Sequence, residues 1–195
     1  MRLIIALLLF TGLAATAPAA ELPAALGQDS HAGWTPDRLP GSFVVDGGVL
    51  SITSDPTQKG ATLWTDTEYG DLVMELEFKF RAGRVDTGVF LRHKREQIQI
   101  GNSGSKKRDM TASPYIAGKG YPLEAEGVAD LLNVDGWNQM KIVAVGKRYD
   151  VWLNGRHVLG YESPTAIERG PIGLQLHPKT EMVVHFRNLR LAQLQ

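Results

Sequence analysis

Hydrophobic and polar residues alternate along much of the chain, and the clearest example is the segment DLVMELEFKF at residues 71–80. Five apolar residues recur there at every second position: Leu72, Met74, Leu76, Phe78 and Phe80. The intervening residues from position 75 onward are charged. Because successive side chains of a strand point to opposite faces, this pattern predicts a β-strand with one face on a hydrophobic core.

Comparable segments follow one another along the chain. SFVVDGGVLSI at residues 42–52 predicts two strands joined by an Asp-Gly-Gly turn. The segment at residues 137–161 predicts three consecutive strands, with turns near Gly146 and at Asn154-Gly155, a pair that suits a tight hairpin. MVVHFRNLRLAQL at residues 182–194 predicts one more long strand. No segment has a sustained helical period, so we predict an all-β sandwich.

The stretch from Gly101 to Val134 is irregular and rich in Gly, Ser, Lys and Pro. We therefore predict a long loop between two groups of strands. Long loops on a rigid β scaffold often carry functional residues.

The N-terminal residues 1–20 have the pattern of a secretory signal peptide. Arg2 precedes an apolar run from Leu3 to Phe10, and small residues follow that suit cleavage after Ala19 or Ala20. The run is too short for a membrane span, which needs about 20 residues. We expect a mature chain of residues 21–195 that forms one domain, is periplasmic or secreted, and has no membrane span.

Composition narrows the classes of partner. The 195 residues include 21 Lys and Arg, 21 Asp and Glu, and no Cys. A neutral chain is not expected to bind nucleic acid or an anionic membrane surface. The absence of cysteine means that an exported chain relies on core burial for stability rather than on disulfides.

Several phrases in a fixed order extend from Trp34 to Leu191. They are GW at 33–34, VVDGGVLSI at 44–52, YGDLVMELEFKF at 69–80, TGVFLR at 87–92, QIQI at 97–100, WNQMKIVAVGKRYDVWLNGRHV at 137–158 and GPIGLQLHPKTEMVVHFRNLRL at 170–191. In this combination the chain resembles the 3-keto-disaccharide hydrolase family. The resemblance implies a concanavalin A-like jelly roll, a sandwich of two antiparallel sheets.

The chain departs from the family pattern at two points. Members commonly have Asn-Ser-Gly where this chain has Asp86-Thr87-Gly88, and Glu where it has Gln97. Because Gln cannot exchange a proton at neutral pH, a relative that binds its sugar without cleaving it stays open as an alternative.

Amides and one imidazole are the candidate site residues. Gln97 and Gln99 share one face of a predicted strand, and Gln175 and His177 share one face of another. An amide both donates and accepts hydrogen bonds in a fixed plane, which suits adjacent sugar hydroxyls. His177 is the candidate for proton transfer.

The family resemblance implies cleavage of a sugar that is already oxidised at C3. His177 would then transfer the proton, Arg92 would polarise the ketone, and Gln99 and Gln175 would hold hydroxyls together with Gln97. Tyr115 would close the pocket. Trp152 would be either a stacking platform for the sugar or part of the core.

Two groups of acidic residues bear on other functions. Glu75 and Glu77 could suggest two-carboxylate hydrolysis, but Lys79 follows them where an additional acid is expected. Four aspartates are predicted in loops or at strand ends: Asp86, Asp109, Asp130 and Asp135. Their oxygens could bind calcium, but they lack the spacing of an EF-hand, so we interpret them as solvated acids and predict no cofactor. A lectin-like module without catalysis and a structural role without a ligand remain as alternatives.

Overall fold

The computed structural model describes residues 21–195, so the predicted signal peptide at residues 1–20 lies outside the described part of the chain. The described residues form fourteen strands and little helix. The strands are β1 (Trp34–Pro36), β2 (Phe43–Asp46), β3 (Val49–Thr53), β4 (Ala61–Tyr69), β5 (Leu72–Gly83), β6 (Asp86–Leu91), β7 (Glu96–Ser103), β8 (Arg108–Asp109), β9 (Pro114–Ile116), β10 (Asn138–Val145), β11 (Arg148–Leu153), β12 (Arg156–Glu162), β13 (Gly170–Leu176) and β14 (Met182–Gln193).

The strands form two antiparallel sheets. The first sheet has the order β1-β4-β13-β6-β7-β8, with β9 also paired to β7. The second sheet has the order β12-β11-β10-β5-β14-β3-β2. Neighbours in the sheets are often distant in sequence, as in a jelly roll. The predicted all-β sandwich of two antiparallel sheets is confirmed.

Strand β5 shows how the alternating pattern builds the core. Leu72, Met74, Leu76 and Phe78 are at most 1% exposed, and they pack with buried residues of both sheets. The charged residues between them lie on the outer face. Full burial of one such side chain contributes about 1.5–3 kcal/mol, which explains why this register is strongly specified.

The predicted hairpins are present where turn residues marked them. Asn154 (φ 48°) and Gly155 (φ 82°) join β11 to β12, and both have the positive φ of a tight hairpin turn. The turn at Gly146 joins β10 to β11, and the Gly47-Gly48 turn joins β2 to β3. Strands β10 to β12 therefore form the expected three-strand meander.

The predicted long loop is wrong in part. Strand β7 extends to Ser103, and two short strands, β8 and β9, pair with it within the stretch that was expected to be irregular. The stretch also contains the single helical turn α1 (Val128–Leu131). Among residues 21–195 no helix has both the length and the apolar character needed to cross a bilayer.

Glu96, the first residue of β7, connects the two sheets. Its side chain is fully buried, and it accepts hydrogen bonds from Tyr149 Oη at 2.6 Å, Ser163 Oγ at 2.9 Å and Thr165 Oγ1 at 2.6 Å. Tyr149 belongs to β11 of the second sheet. Burial, followed by the hydrogen bond to the Glu96 carboxylate, raises the pKa of the Tyr149 phenol. Glu96 faces inward, as the alternation of β7 predicts.

Candidate functional site

The outer face of the first sheet gathers the candidate polar residues. Strand β7 directs Gln97 and Gln99 outward, because Ile98 and Ile100 lie fully buried in the core. In the neighbouring strands, the register pairs Gln97 with Phe90 of β6 and with Tyr115 of β9. Strand β13 lies on the other side of β6 and leads Gln175 and His177 to the same face.

A chain of amide hydrogen bonds ends on a carboxylate. Gln97 Nε2 donates to Gln99 Oε1 at 2.8 Å, and Gln99 Nε2 donates to Asp86 Oδ1 at 2.9 Å and to the carbonyl of Asn102 at 3.2 Å. The carboxylate and the carbonyl can only accept, so they fix the orientation of the Gln99 amide, and Gln99 in turn fixes that of Gln97.

Two amide oxygens at this face have no protein partner. Within residues 21–195, Oε1 of Gln97 and Oε1 of Gln175 are buried and accept no hydrogen bond. A buried acceptor without a donor is costly, by about 1–3 kcal/mol. Both oxygens can therefore accept hydrogen bonds from the hydroxyl groups of a ligand.

Asp86 and His177 are the carboxylate and the imidazole at the centre of the site. Asp86 is 3% exposed, and its Oδ2 accepts a hydrogen bond from the Gly104 amide at 2.9 Å and lies 3.9 Å from His177 Nε2. His177 Nδ1 lies 2.7 Å from the carbonyl of Pro178, which can only accept. Nδ1 therefore carries the proton in this contact, and Nε2 of the neutral ring is available as a base.

Gly88 keeps the floor of the site flat between these side chains. It pairs with Gln99 across the sheet, and a Cβ at this position would lie 2.6 Å from the carbonyl oxygen of Ile98 and 3.1 Å from Cδ of Gln97. The close approach of β6 and β7 therefore requires glycine here. It also leaves the two amides on β7 open to a ligand.

Two tyrosines stand at one side of the site. The rings of Tyr115 and Tyr121 meet edge to face, with 5.3 Å between their centroids. Burial raises the pKa of the Tyr121 phenol to about 12. The phenol therefore stays protonated at neutral pH and can donate a hydrogen bond to a ligand.

Together these residues line a cavity of about 380 Å³. Its lining residues are Asp86, Phe90, Lys94, Gln97, Gln99, Ser103, Gly104, Ser105, Tyr115, Tyr121, Gln175, His177 and Pro178. The volume is within the range of small-molecule sites. Five predicted site residues, Gln97, Gln99, Tyr115, Gln175 and His177, thus lie in one cavity. Lys94 is the lysine among the lining residues.

Arg92 lies elsewhere, so the prediction that it polarises a ketone is wrong. Its side chain is fully buried and donates to the carbonyls of Gly70 at 2.9 Å, Gly146 at 2.6 Å and Ile167 at 2.9 Å. Asp71 lies 3.4 Å from the guanidinium. These contacts tie the loops at one end of the sandwich together, which is a structural role. No donor is left for a ligand in the cavity.

Trp152 does not line this cavity either. It lies on β11 of the second sheet, and it points outward because Val151 and Leu153 on either side of it are fully buried. Its nearest ring is that of His157, with 4.8 Å between the centroids. Of the two predicted roles, the outward position fits a stacking platform rather than the core, but Trp152 is not part of the site that the amides form.

Eight of the thirteen lining residues of the cavity were not among the predicted site residues, and three of these eight carry ionisable groups: Asp86, Lys94 and Tyr121. Asp86 was interpreted as a solvated acid, but it is buried beside Gln99; its alternation with Gly88 and Phe90 on β6 could have indicated the shared face. Lys94 and Tyr121 follow no strand pattern, because each lies in a connecting segment whose path the sequence does not reveal.

No metal centre is formed by the described side chains. Between residues 21 and 195, no three His, Asp or Glu residues lie close enough together to hold a metal ion. Glu75 and Glu77 lie on the outer face of the second sheet, where Lys141 and Arg187 pair with them at 3.6 and 2.7 Å.

A two-sheet sandwich with a polar cavity on the outer face of one sheet defines a concanavalin A-like domain. The family model described as the 3-keto-alpha-glucoside-1,2-lyase-like domain matches residues 26–192. The chain therefore belongs to this family, as the phrases in the sequence indicated. No curated protein matches the sequence.

Several solved structures share the fold. A proposed glycosyl hydrolase from Parabacteroides distasonis is 21% identical, with a TM-score of 0.65, over 90% of this chain and 100% of that one. A second such protein from the same organism is 14% identical, with a TM-score of 0.63, over 86% and 91% of the two chains. The carbohydrate-binding module CBM66 from Bacillus subtilis is 16% identical, with a TM-score of 0.57, over 83% and 96%. At these identities the likeness concerns the fold.

Proposed function

We propose that the protein cleaves glycosides whose sugar ring is oxidised to a ketone at C3. The observation that carries the proposal is the cavity that combines a basic imidazole nitrogen with unpartnered amide oxygens, namely His177 Nε2 beside Oε1 of Gln97 and of Gln175. Membership of the 3-keto-alpha-glucoside-1,2-lyase-like family supports the same ligand class.

The first step removes a proton. The ketone at C3 acidifies the hydrogen on C2, and Nε2 of His177 takes it as a general base. The resulting imidazolium lies 3.9 Å from the Asp86 carboxylate, which stabilises its positive charge. Lys94 lines the cavity, and in this mechanism its ammonium reaches the ketone oxygen and stabilises the negative charge that develops there.

The second step breaks the glycosidic bond. The electron pair from C2 forms a double bond to C1 and expels the glycosidic oxygen, which takes the phenolic proton of Tyr121. Water then adds to C1 and gives its proton to the Tyr121 phenolate, while C2 regains a proton from the His177 imidazolium, and the products are the free 3-keto sugar and the alcohol. Gln97 and Gln175 hold ring hydroxyls throughout.

Release of the free 3-keto sugar tests this function. The mature protein is incubated with 3-keto-trehalose and other 3-keto-glucosides, and separately with the unoxidised sugars. We expect release only from the oxidised substrates, and a loss of roughly 100-fold or more in His177→Ala. His157→Ala, which removes an exposed imidazole on the other sheet, is the matched control and should retain full activity.

The elimination step has its own signature. In D₂O, the imidazolium of His177, whose side chain is 34% exposed, exchanges its N–H proton with the solvent before it reprotonates C2, so turnover places deuterium on C2 of the released sugar. Cleavage that leaves C2 fully protonated would contradict the mechanism, provided that free 3-keto-glucose in the same buffer shows no exchange over that time.

Binding without cleavage is the second candidate function. The observation that favours it is that Gln97, Gln99 and Gln175 present amides, which cannot transfer protons at neutral pH. Saturable binding of a 3-keto-glucoside in a calorimeter, without release of any product, would support this lectin-like function over the enzyme.

Export is a separate proposal, supported by the charged start, apolar run and small residues within residues 1–20. Expression of the full chain in a bacterium, followed by N-terminal sequencing of the periplasmic fraction, tests it. We expect a mature chain that begins at Ala20 or Glu21; a cytoplasmic chain that keeps its first residues would contradict export.

A further inference from the structure

A second cavity opens on the outer face of the second sheet. It has a volume of about 330 Å³ and is lined by Glu75, Gln139, Lys141, Trp152 and Gly155. The candidate cavity described above lies on the other sheet, so the two openings are separated by the whole core. A function for this second cavity is therefore independent of catalysis.

A series of side chains fixes the position of Trp152. Arg148 donates two hydrogen bonds to Asp150, at 2.7 and 2.8 Å, and Asp150 Oδ1 lies 2.9 Å from Nε2 of His157. The imidazole of His157 meets the indole at an interplanar angle of 67°. Held in this way, the indole loses little side-chain freedom when a ligand binds.

A bulge in β12 produces this contact. The register pairs Val151 with Leu159 but Trp152 with His157, so Val158 is the extra residue. Val158 and Leu159 are consecutive, and both are buried. The bulge therefore brings His157 to the outer face directly opposite Trp152, and bulges commonly redirect side chains beside functional sites.

The polar lining around the indole carries no net charge. Glu75 and Lys141 pair at 3.6 Å, and Gln139 adds an exposed amide. A ring with hydroxyls around its edge and C–H groups on its faces fits this set, since the indole contacts the faces and the polar groups bond the edge. A neutral pyranose with equatorial hydroxyls, as in glucans, has this chemistry.

Trp137 provides a contrast on the same face of the sheet. The guanidinium of Arg187 lies 4.0 Å from the centroid of the Trp137 ring, so a protein cation already covers that indole. The ammonium of Lys141 lies farther from Trp152, at 5.8 Å. A protein cation therefore covers the indole of Trp152 less closely than that of Trp137, which makes Trp152 the better surface for a ligand to stack on.

From this geometry we propose that the cavity at Trp152 is a second carbohydrate site, which takes one ring of a neutral gluco-configured oligosaccharide by stacking on the indole. Such a site holds the protein on a longer glycan while the first cavity remains free. It does not depend on the ligand being oxidised.

The indole N–H signals in a ¹H–¹⁵N NMR spectrum test the proposal. The chain has four tryptophans, and the signal lost in Trp152→Phe is that of Trp152. Titration with cellotetraose and maltotetraose should shift this signal saturably, without shifting that of Trp137. The Trp152→Ala variant should bind at least about tenfold more weakly by calorimetry.

Control variants separate this site from the first cavity. His177→Ala should leave the Trp152 titration unchanged, and Trp137→Phe should bind as the parent does. The three remaining indole signals of Trp152→Ala report whether that variant is folded. A tetrasaccharide that shifts only Trp64, which stacks on Phe90 of the first cavity, or one that shifts no indole, would overturn the proposal.

Discussion

Asp86 Oδ2 lies 3.9 Å from His177 Nε2, while the other carboxylate oxygen accepts a hydrogen bond from Gln99. The two residues come from β6 and from the end of β13, on neighbouring strands of one sheet. The distance is too long for a direct hydrogen bond, but a carboxylate and an imidazolium attract each other across it. Asp86 thus acts on the imidazole without occupying the nitrogen that would remove the proton.

Asp86→Asn tests this relationship. The amide keeps the shape of the side chain and removes its charge, so the imidazolium formed during the reaction loses its stabilising partner. We expect kcat for cleavage of 3-keto-trehalose to fall by about tenfold to a hundredfold, with a smaller change in KM. Asp130→Asn, at an exposed position on α1, is the control and should behave as the parent. An unchanged kcat in Asp86→Asn would exclude this role.

Gln99→Ala tests the chain of amides. The change removes the acceptor of Gln97 Nε2 and a donor to Asp86, both of which are buried. Leaving such groups unpaired should lower the free energy of unfolding by about 1–3 kcal/mol in urea denaturation. Gln139→Ala, at an exposed position, should change it by less than about 0.5 kcal/mol. Equal stabilities of the two variants would contradict a stabilising role for the hydrogen bonds from Gln97 through Gln99 to Asp86.

Arg92→Lys tests the structural role of the buried guanidinium. Lysine cannot bond the carbonyls of Gly70, Gly146 and Ile167 at once, because its ammonium is a single point. We expect the free energy of unfolding to fall by roughly 3 kcal/mol, while the folded protein keeps its kcat. The exposed Arg95→Lys is the matched control. A loss of kcat without a loss of stability would show that Arg92 takes part in the reaction.

The acid dependence of stability follows from two partly buried histidines. Burial lowers the pKa of His93 and the pKa of His185 below the ordinary 6.5. Below about pH 6.5 the unfolded chain therefore binds protons that the native chain does not, and the free energy of unfolding decreases as pH falls toward the native pKa values. Urea denaturation between pH 7.5 and about 5 measures this decrease.

Removing both imidazoles should reduce that acid dependence. In a His93→Gln/His185→Gln variant, neither position can bind a proton in the unfolded chain. We expect a shallower decrease in stability than in the parent over the same range. A parent protein that becomes more stable as the pH falls would show that the sign is wrong.

The fold was predictable because apolar residues recur with period two and turns carry Gly or Asn. This pattern identified β5 and the hairpin at Asn154-Gly155 within a few residues. It also assigned Gln97, Gln99, Gln175 and His177 to one face of each of their strands. Which strands are neighbours is not a local property, however, so the cavity itself needed the sheet order β13-β6-β7.

The errors in the site have physical reasons. Arg92 follows β6 with a positive φ of 65°, which turns its side chain away from the alternation of the strand and into the end of the sandwich. Trp152 has a pattern that fits either sheet, and only the pairing of β11 with β10 and β12 assigns it to the second. Backbone turns and sheet membership are set by tertiary structure, so the local pattern could not separate these cases.

The inward carboxylate of Glu96 fixes the register of β7 from the core side, and this affects which residues of the cavity can be exchanged. A shift of β7 by one residue would expose Glu96 and bury an amide in the core, so the inward-facing residues determine the register of the strand. The outward residues at positions 97 and 99 are therefore not needed to set the register. Ligand preference at this cavity can diverge by exchange of those two side chains while the scaffold beneath them stays the same.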